Sequence, residues 1–186
     1  GFKNADINIL QRDDIAEKNS LILDINVDKK EKVKVNKIYI SGNSALSEKL
    51  LKKTMKKTNE KGYLRDFFRP KKFIADLYEE DKRLLINKYN EHGYRDAHIV
   101  TDSVVPFDDK TVDVYLHVEE GNQYHIRDIN WVDNTVYASQ DLSDILRMKK
   151  GDVYNQKLLD ERLNMDDDAI GNFYYNNGYV FFNVSP

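Results

Sequence analysis

The groups in this chain able to do acid–base or metal chemistry are few and scattered. His98 and His117 fall on adjacent expected strands as outward-facing diagonal neighbours. No cysteine or third histidine joins them, which is short of a metal-binding set. Asp166-Asp167-Asp168 has neither the alternating ligands nor the glycine of a calcium loop, and reads as surface charge on a helix. Asp81 and Asp166 occupy matching places in the chain, but one acid per repeat at the rim of an apolar stripe reads as a structural hydrogen bond to nearby backbone rather than acid catalysis. The serines lack histidine and aspartate partners at any motif spacing, and there is no glycine-rich phosphate loop. With no cysteine in 186 residues, disulfides and thiolate metal sites are excluded. These residues point to no catalysed reaction and to no cofactor.

Charge is the strongest chemical asymmetry. Between Ser44 and Lys72 stand ten positive residues against three negative, a local balance of +7 in a chain whose total is −3, so the remainder carries −10. Lys52, Lys53, Lys56, Arg65 and Arg69, with Phe67 and Phe68 as apolar anchors, form a candidate basic and aromatic contact surface. Its partner would be anionic: phospholipid headgroups at a membrane surface, or an acidic protein. The plain alternative is a solvated helix face and a loop whose phenylalanines fold back on the core. Nucleic acid is disfavoured, because the aromatics are not spread along a basic sheet face as stacking platforms require.

What positions these residues is a repeat. Ile38-Tyr39-Ile40-Ser41-Gly42-Asn43 is echoed by Ile129-Asn130-Trp131-Val132-Asp133-Asn134, 91 residues on, and Gly93-Tyr94 by Gly178-Tyr179, 85 residues on. The first full copy therefore carries a six-residue insertion. An earlier echo at Gly1-Phe2 makes the opening segment the tail of a preceding copy. Residues 1–32 are expected to be the closing hairpin of one module, 33–121 a complete module, and 122–186 a following module lacking its last strand. The arrangement suggests a piece cut from a longer protein. No apolar run approaches the length of a membrane helix.

Within the complete module, Lys37 to Ile40 alternates as a strand, and Val33 and Val35 sit on the opposite parity, which predicts a bulge between them. Leu50, Leu51, Thr54 and Met55 make one face of a short helix with Ser47 or Ser44 as cap. Ile74, Leu77, Tyr78, Leu85 and Tyr89 stripe a second helix, with Pro70 in its first turn and Gly93 as its terminal cap. In the following copy Leu159, Arg162, Leu163, Ile170 and Tyr174 continue as one such helix, capped by Asn155 and Gly178. A hairpin closes the unit, pairing Val105 with Val112 and Ile99 with Val118, so that Ala97, Ile99, Thr101, Ser103 and Val105 share the inward face. Residues 1–28 supply another hairpin, with Ala5, Ile7 and Ile9 facing Leu21, Leu23, Ile25 and Val27. The fold class is α+β: tandem β-α-α-β-β modules, each with two helices on one face of a three-stranded mixed sheet.

The order strand, helix, helix, hairpin, with a helix ending Asn90-Glu91-His92-Gly93-Tyr94 and an acidic junction Val118-Glu119-Glu120-Gly121-Asn122-Gln123-Tyr124, resembles the POTRA domains of BamA-like outer-membrane β-barrel assembly factors, the surface antigen D15 family. The resemblance covers essentially the whole chain. The insertion bearing Phe67-Phe68 is similar to that of the third domain of such arrays, which would make residues 1–32 the end of the second and 124–186 most of the fourth. It implies a periplasmic location in a Gram-negative outer-membrane protein, with a membrane barrel further along the parent chain. The implied partners are unfolded outer-membrane proteins and accessory lipoproteins of the assembly complex, bound by strand addition at a sheet edge. In this family the first hairpin strand lies on the edge, so the implied docking strip is Ala97, His98, Ile99, Val100, Thr101, Asp102, Ser103, Val104 and Val105. The alternatives are a two-partner secretion or TamA-type pore, or a structural spacer that binds no client.

Overall fold

The computed structural model describes residues 6–14, 19–28, 33–60 and 72–186. The opening segment is a hairpin of β1 (Asp6–Asp13) and β2 (Leu21–Asp28) in an antiparallel ladder. Ile7 faces Val27 and Ile9 faces Ile25, as the alternation predicts, while Ala5 lies outside the described residues. These four apolar side chains are each at least half exposed, because no helix among the described residues covers them.

The complete module runs β3 (Lys34–Ser41), α1 (Glu48–Thr54), α2 (Ala75–Asn90), β4 (His98–Asp108) and β5 (Thr111–Glu119). Its sheet is ordered β3-β5-β4, with β3 parallel and β4 antiparallel to the central β5. Both helices cover one face. Leu51 of α1 and Met55 at its C-terminal cap, with Tyr78, Leu85 and Tyr89 of α2, pack against Val35, Ile38, Val114, Leu116 and Val118. Each fully buried aliphatic among them contributes about 1.5–3 kcal/mol. Ser47 caps α1, accepting from the Leu50 N–H, whereas Ser44 is used elsewhere. Pro70 lies outside the described residues, and α2 begins at Ala75.

The predicted bulge in β3 is present between Val35 and Ile38. The buried Asp113 of β5 closes it, accepting from Asn36 Nδ2 (2.8 Å) and the Lys37 N–H (3.1 Å). A second feature alters the hairpin. Ile99 faces Val118 as expected, but Val105 faces Asp113, and Pro106 faces Val112. Val100 is an extra residue on β4, and this bulge reverses the side-chain parity beyond it. Val104 therefore packs on the core in place of Val105, and Asp102 rather than Thr101 points to the helices.

Two glycines are required by geometry. Gly42 has φ +80°, and a Cβ there would lie 1.9 Å from the Val118 carbonyl oxygen. Gly93, at φ +86°, ends α2 where the following module begins; its carbonyl accepts from the Tyr124 N–H at 2.8 Å, and a Cβ would lie 2.7 Å from Val153. The Tyr124 hydroxyl donates to Asp96 at 2.7 Å, and Arg95 lies over the Tyr154 ring at 4.8 Å, so the two modules meet through specific contacts.

The following module is helical: α3 (Ser139–Leu146), α4 (Gln156–Asp160), a π-turn (Glu161–Met165) and α5 (Ile170–Asn176). Asn155 caps α4 as predicted. The helix expected to run through Ile170 is interrupted, so Asp166, Asp167 and Asp168 lie in the break and not on a helix. Aspartate is a poor helix former. Here the buried Arg162 guanidinium gathers Asp166 and both oxygens of Asp168, pulling the chain out of helical geometry. Asp166 is thus not equivalent to Asp81. Among residues 122–186 no strand forms, although Ile129 and Trp131 pack against the helical core. In the complete module the matching strand, β3, pairs with the closing strand β5. No described segment supplies that partner here.

Two buried carboxylates hold the loops of the complete module. Asp81, fully buried in α2, accepts from the backbone N–H groups of Lys57 and Thr58. Glu120 accepts from Ser44 Oγ (2.6 Å) and the Ala45 N–H (3.0 Å). Replacing Asp81 by Ala strands both donors and is expected to cost about 2–4 kcal/mol in urea unfolding, with Asp81→Asn losing clearly less. Burial raises the affinity of Glu120 for its proton, but the bonds from Ser44 and Ala45 outweigh this and leave it below the ordinary glutamate value of 4.5. A carboxylate held low stabilises the fold fully above 4.5, and that stability is lost as pH falls through the lower folded-state value. The difference in urea midpoint between the parent and Glu120→Gln should therefore be steady near neutral pH and narrow below about 4.5.

Candidate functional site

A three-stranded sheet has two edges, and this one treats them differently. The β3 edge is occupied. Glu60 Oε1 accepts from the Ile38 N–H at 2.8 Å, standing in for a neighbouring strand, and is held there by Lys52 Nζ at 2.7 Å. Further along, Lys34 bridges to Lys72, and the Phe73 N–H donates to the Val33 carbonyl at 2.9 Å. Lys52 also reaches Glu48 at 2.8 Å; burial would lower its proton affinity, but the two carboxylates outweigh that and raise it.

The β4 edge is open. Among the described residues β4 pairs only with β5. Bulges at Val100 and Phe107 bracket an uninterrupted ladder from Thr101 to Pro106. A proline in an edge strand turns its nitrogen away from the ladder. By the two-residue period, the backbone groups of Asp102 and Val104 face outward with it and are available to a further strand.

The expected strip divides accordingly. Ala97 precedes the strand and is buried, so it offers nothing to a partner. His98 faces Glu119, Ile99 packs on the core, and Val100 is the bulged residue. Thr101, Ser103 and Val105 lie on the sheet face away from the helices. On that face Tyr39 and Tyr115 stack with ring centroids 4.8 Å apart, Tyr115 directly opposite Ser103. Asp102 points to the helix side, where Lys82 binds it at 3.0 Å and Glu79 at 2.8 Å. Burial would lower the Lys82 proton affinity; its bonds to Glu79 and Asp102 raise it instead. A charge turned inward on an edge strand guards against indiscriminate pairing.

Of the candidate basic surface, Lys52 is taken up by Glu48 and Glu60. Lys53 and Lys56 are exposed, and Arg65, Phe67, Phe68 and Arg69 lie outside the described residues. Among the described residues, no cluster of three or more metal-ligating side chains occurs. Glu60, Lys82 and the Tyr39–Tyr115 pair were not singled out from sequence. The tyrosines were detectable as large aromatics on the polar parity of their strands, whereas Glu60 carried no local signal.

A Treponema pallidum protein whose name assigns it to outer membrane protein assembly is 26% identical over 171 residues, covering 88% of this chain and 19% of its own length. The outer membrane protein assembly factor BamA of Nitratidesulfovibrio vulgaris is 24% identical over 166 residues, covering 89% of this chain and 21% of its own. The chain spans about a fifth of these relatives. The crystal structure of Haemophilus influenzae BamA POTRA domains 3–5 shares the fold, with a TM-score of 0.51 at 20% identity, covering 86% of this chain and 59% of that one. The POTRA family, described as surface antigen variable number repeat, matches residues 33–121 and 124–186. With the β-α-α-β-β module and its mixed sheet in place, the chain belongs to the POTRA family.

Proposed function

We propose that this chain is the periplasmic, polypeptide-binding part of an outer-membrane protein assembly factor, and that it receives extended segments of unfolded outer-membrane proteins as an added strand on β4. The observation that carries this reading is the asymmetry of the sheet. Glu60, Lys72 and Phe73 fill the β3 edge, while β4 offers the outward backbone groups of Asp102 and Val104 between two bulges. Main-chain bonds would supply affinity with little regard to client sequence, and side chains of the added strand would continue the open face beside Ser103, Val105 and Tyr115. The bulges and the inward Asp102 limit the docking length, which favours reversible capture over stable aggregation. An accessory lipoprotein would compete for the same strip. No chemical step enters this function: the work is binding and release.

Titrating ¹⁵N-labelled protein with a synthetic ten-residue peptide of alternating apolar and polar residues tests the reading. Amide shifts are expected to concentrate on 101–106. Val104→Pro removes an outward donor and should weaken binding at least about tenfold, roughly 1.4 kcal/mol, while Ser103→Ala changes it little. Denaturation of each variant checks the fold separately. Equal binding by folded Val104→Pro, or shifts centred away from β4, would leave the spacer reading standing.

A further inference from the structure

We propose that a second docking site, independent of the β4 edge, lies in the groove where the two modules meet, and that it takes an acidic amphipathic helix from a partner protein. The groove has a volume of about 610 Å³ and runs between α1, α2 and the segment formed by α4 and the π-turn. Leu50, Leu84 and Met165 are its apolar lining, and Lys53, Lys56 and Lys157 are among its basic lining residues.

Three observations converge on this occupant. The first is apolar exposure. Met165 is 70% exposed and Leu84 36%, although both line a concave surface. The second is the backbone that puts Met165 there. Five residues, Glu161–Met165, form a π-turn, a rare geometry that recurs at functional sites. The turn buries Arg162 and Leu163 on its inner side and leaves Met165 projecting into the groove. Methionine, unbranched and polarizable, suits an adaptable apolar contact. The third is charge. Glu91 on the groove wall is bound to Lys88 and lies 3.8 Å from Lys157, which leaves Asp160, accepting only from the neutral Gln156 amide, as the one lining carboxylate set against Lys53 and Lys56. Lys53 and Lys56, both exposed, have no ion-pair partner among the described residues. The charge left over among the lining residues is therefore positive.

A groove bounded by three helical segments, with apolar and basic lining residues, matches a helix bearing apolar anchors on one face and carboxylates along its flanks. Nucleic acid finds no aromatic platform among the lining residues. Because the walls come from both modules, an occupant would also brace the junction built by Gly93, Tyr124 and Arg95.

The test uses the ¹⁵N-labelled chain and a stapled helical peptide of about 15 residues, with leucine at one-face spacing and glutamate elsewhere. Shifts are expected at 50–56, 84–91 and 157–165. Binding should weaken as salt rises, and should fall about tenfold or more in both the Lys53→Glu/Lys56→Glu and Leu84→Glu variants. Val104→Pro should bind this peptide as the parent does, so failure here and failure of strand addition are separable. Equal binding of a peptide with lysine in place of glutamate would overturn the proposal. So would shifts scattered outside the groove, or perturbation of the lysines by phosphatidylglycerol vesicles without binding of the peptide.

Discussion

Everything in the complete module depends on β5 lying in the centre of the sheet. It is the last strand of the module in sequence, yet among the described residues β3 and β4 make no ladder with each other and each forms its ladder with β5. A three-stranded sheet whose central strand comes last in sequence is held by contacts distant in the chain: both helices lie between β3 and β5. The following module shows the converse. Its counterpart of β3 packs Ile129 and Trp131 onto a helical core, but with no central strand among the described residues it forms no ladder. Hydrophobic packing survives without a partner, whereas strand structure does not, because backbone bonds in a sheet are supplied entirely by a neighbour.

Where the ladder cannot satisfy the backbone, acidic side chains do. Asp113 closes the β3 bulge, Asp81 holds the Lys57–Thr58 turn, Glu120 holds the Ser44–Ala45 turn, and Glu60 takes the place of a strand beside Ile38. Asp81, Asp113 and Glu120 are buried, which is tolerable for a carboxylate only when several donors converge on it. The acids that might be taken for catalytic groups are therefore acceptors for main-chain N–H. Glu60 in this role closes one sheet edge while the other stays open, and the proposed function draws on that difference.

The two surfaces proposed for partners would work by different physics. The β4 edge offers main-chain groups, which are the same for every sequence and would suit capture of varied clients. The inter-module groove offers side chains of defined polarity, which would select. On this proposal capture and selection are separated, one on the sheet and one between the helical layers.

Local pattern carried much of the fold into the sequence. The α1 and α2 stripes, the Ser47 and Asn155 caps, the glycine termini and the β3 bulge were all legible, because each is set by residues a few positions apart. The role of Glu60 was not: it bonds to Ile38, and nothing in its neighbours marks that choice. The β4 face was misread for a similar reason. Alternation through Ala97, Ile99, Thr101, Ser103 and Val105 is real, but the bulge at Val100 depends on how β4 docks against β5 and α2, with Asp102 drawn to Lys82. The helix break after Met165 likewise follows from Arg162 gathering two aspartates in space. Sequence by itself determined the repeat, the element order of the complete module and the family; tertiary structure decided which edge stays open and which face each strand residue presents. Periodicity records only short-range spacing, while register and edge coverage are settled by hydrogen bonds and ion pairs between segments far apart in the chain.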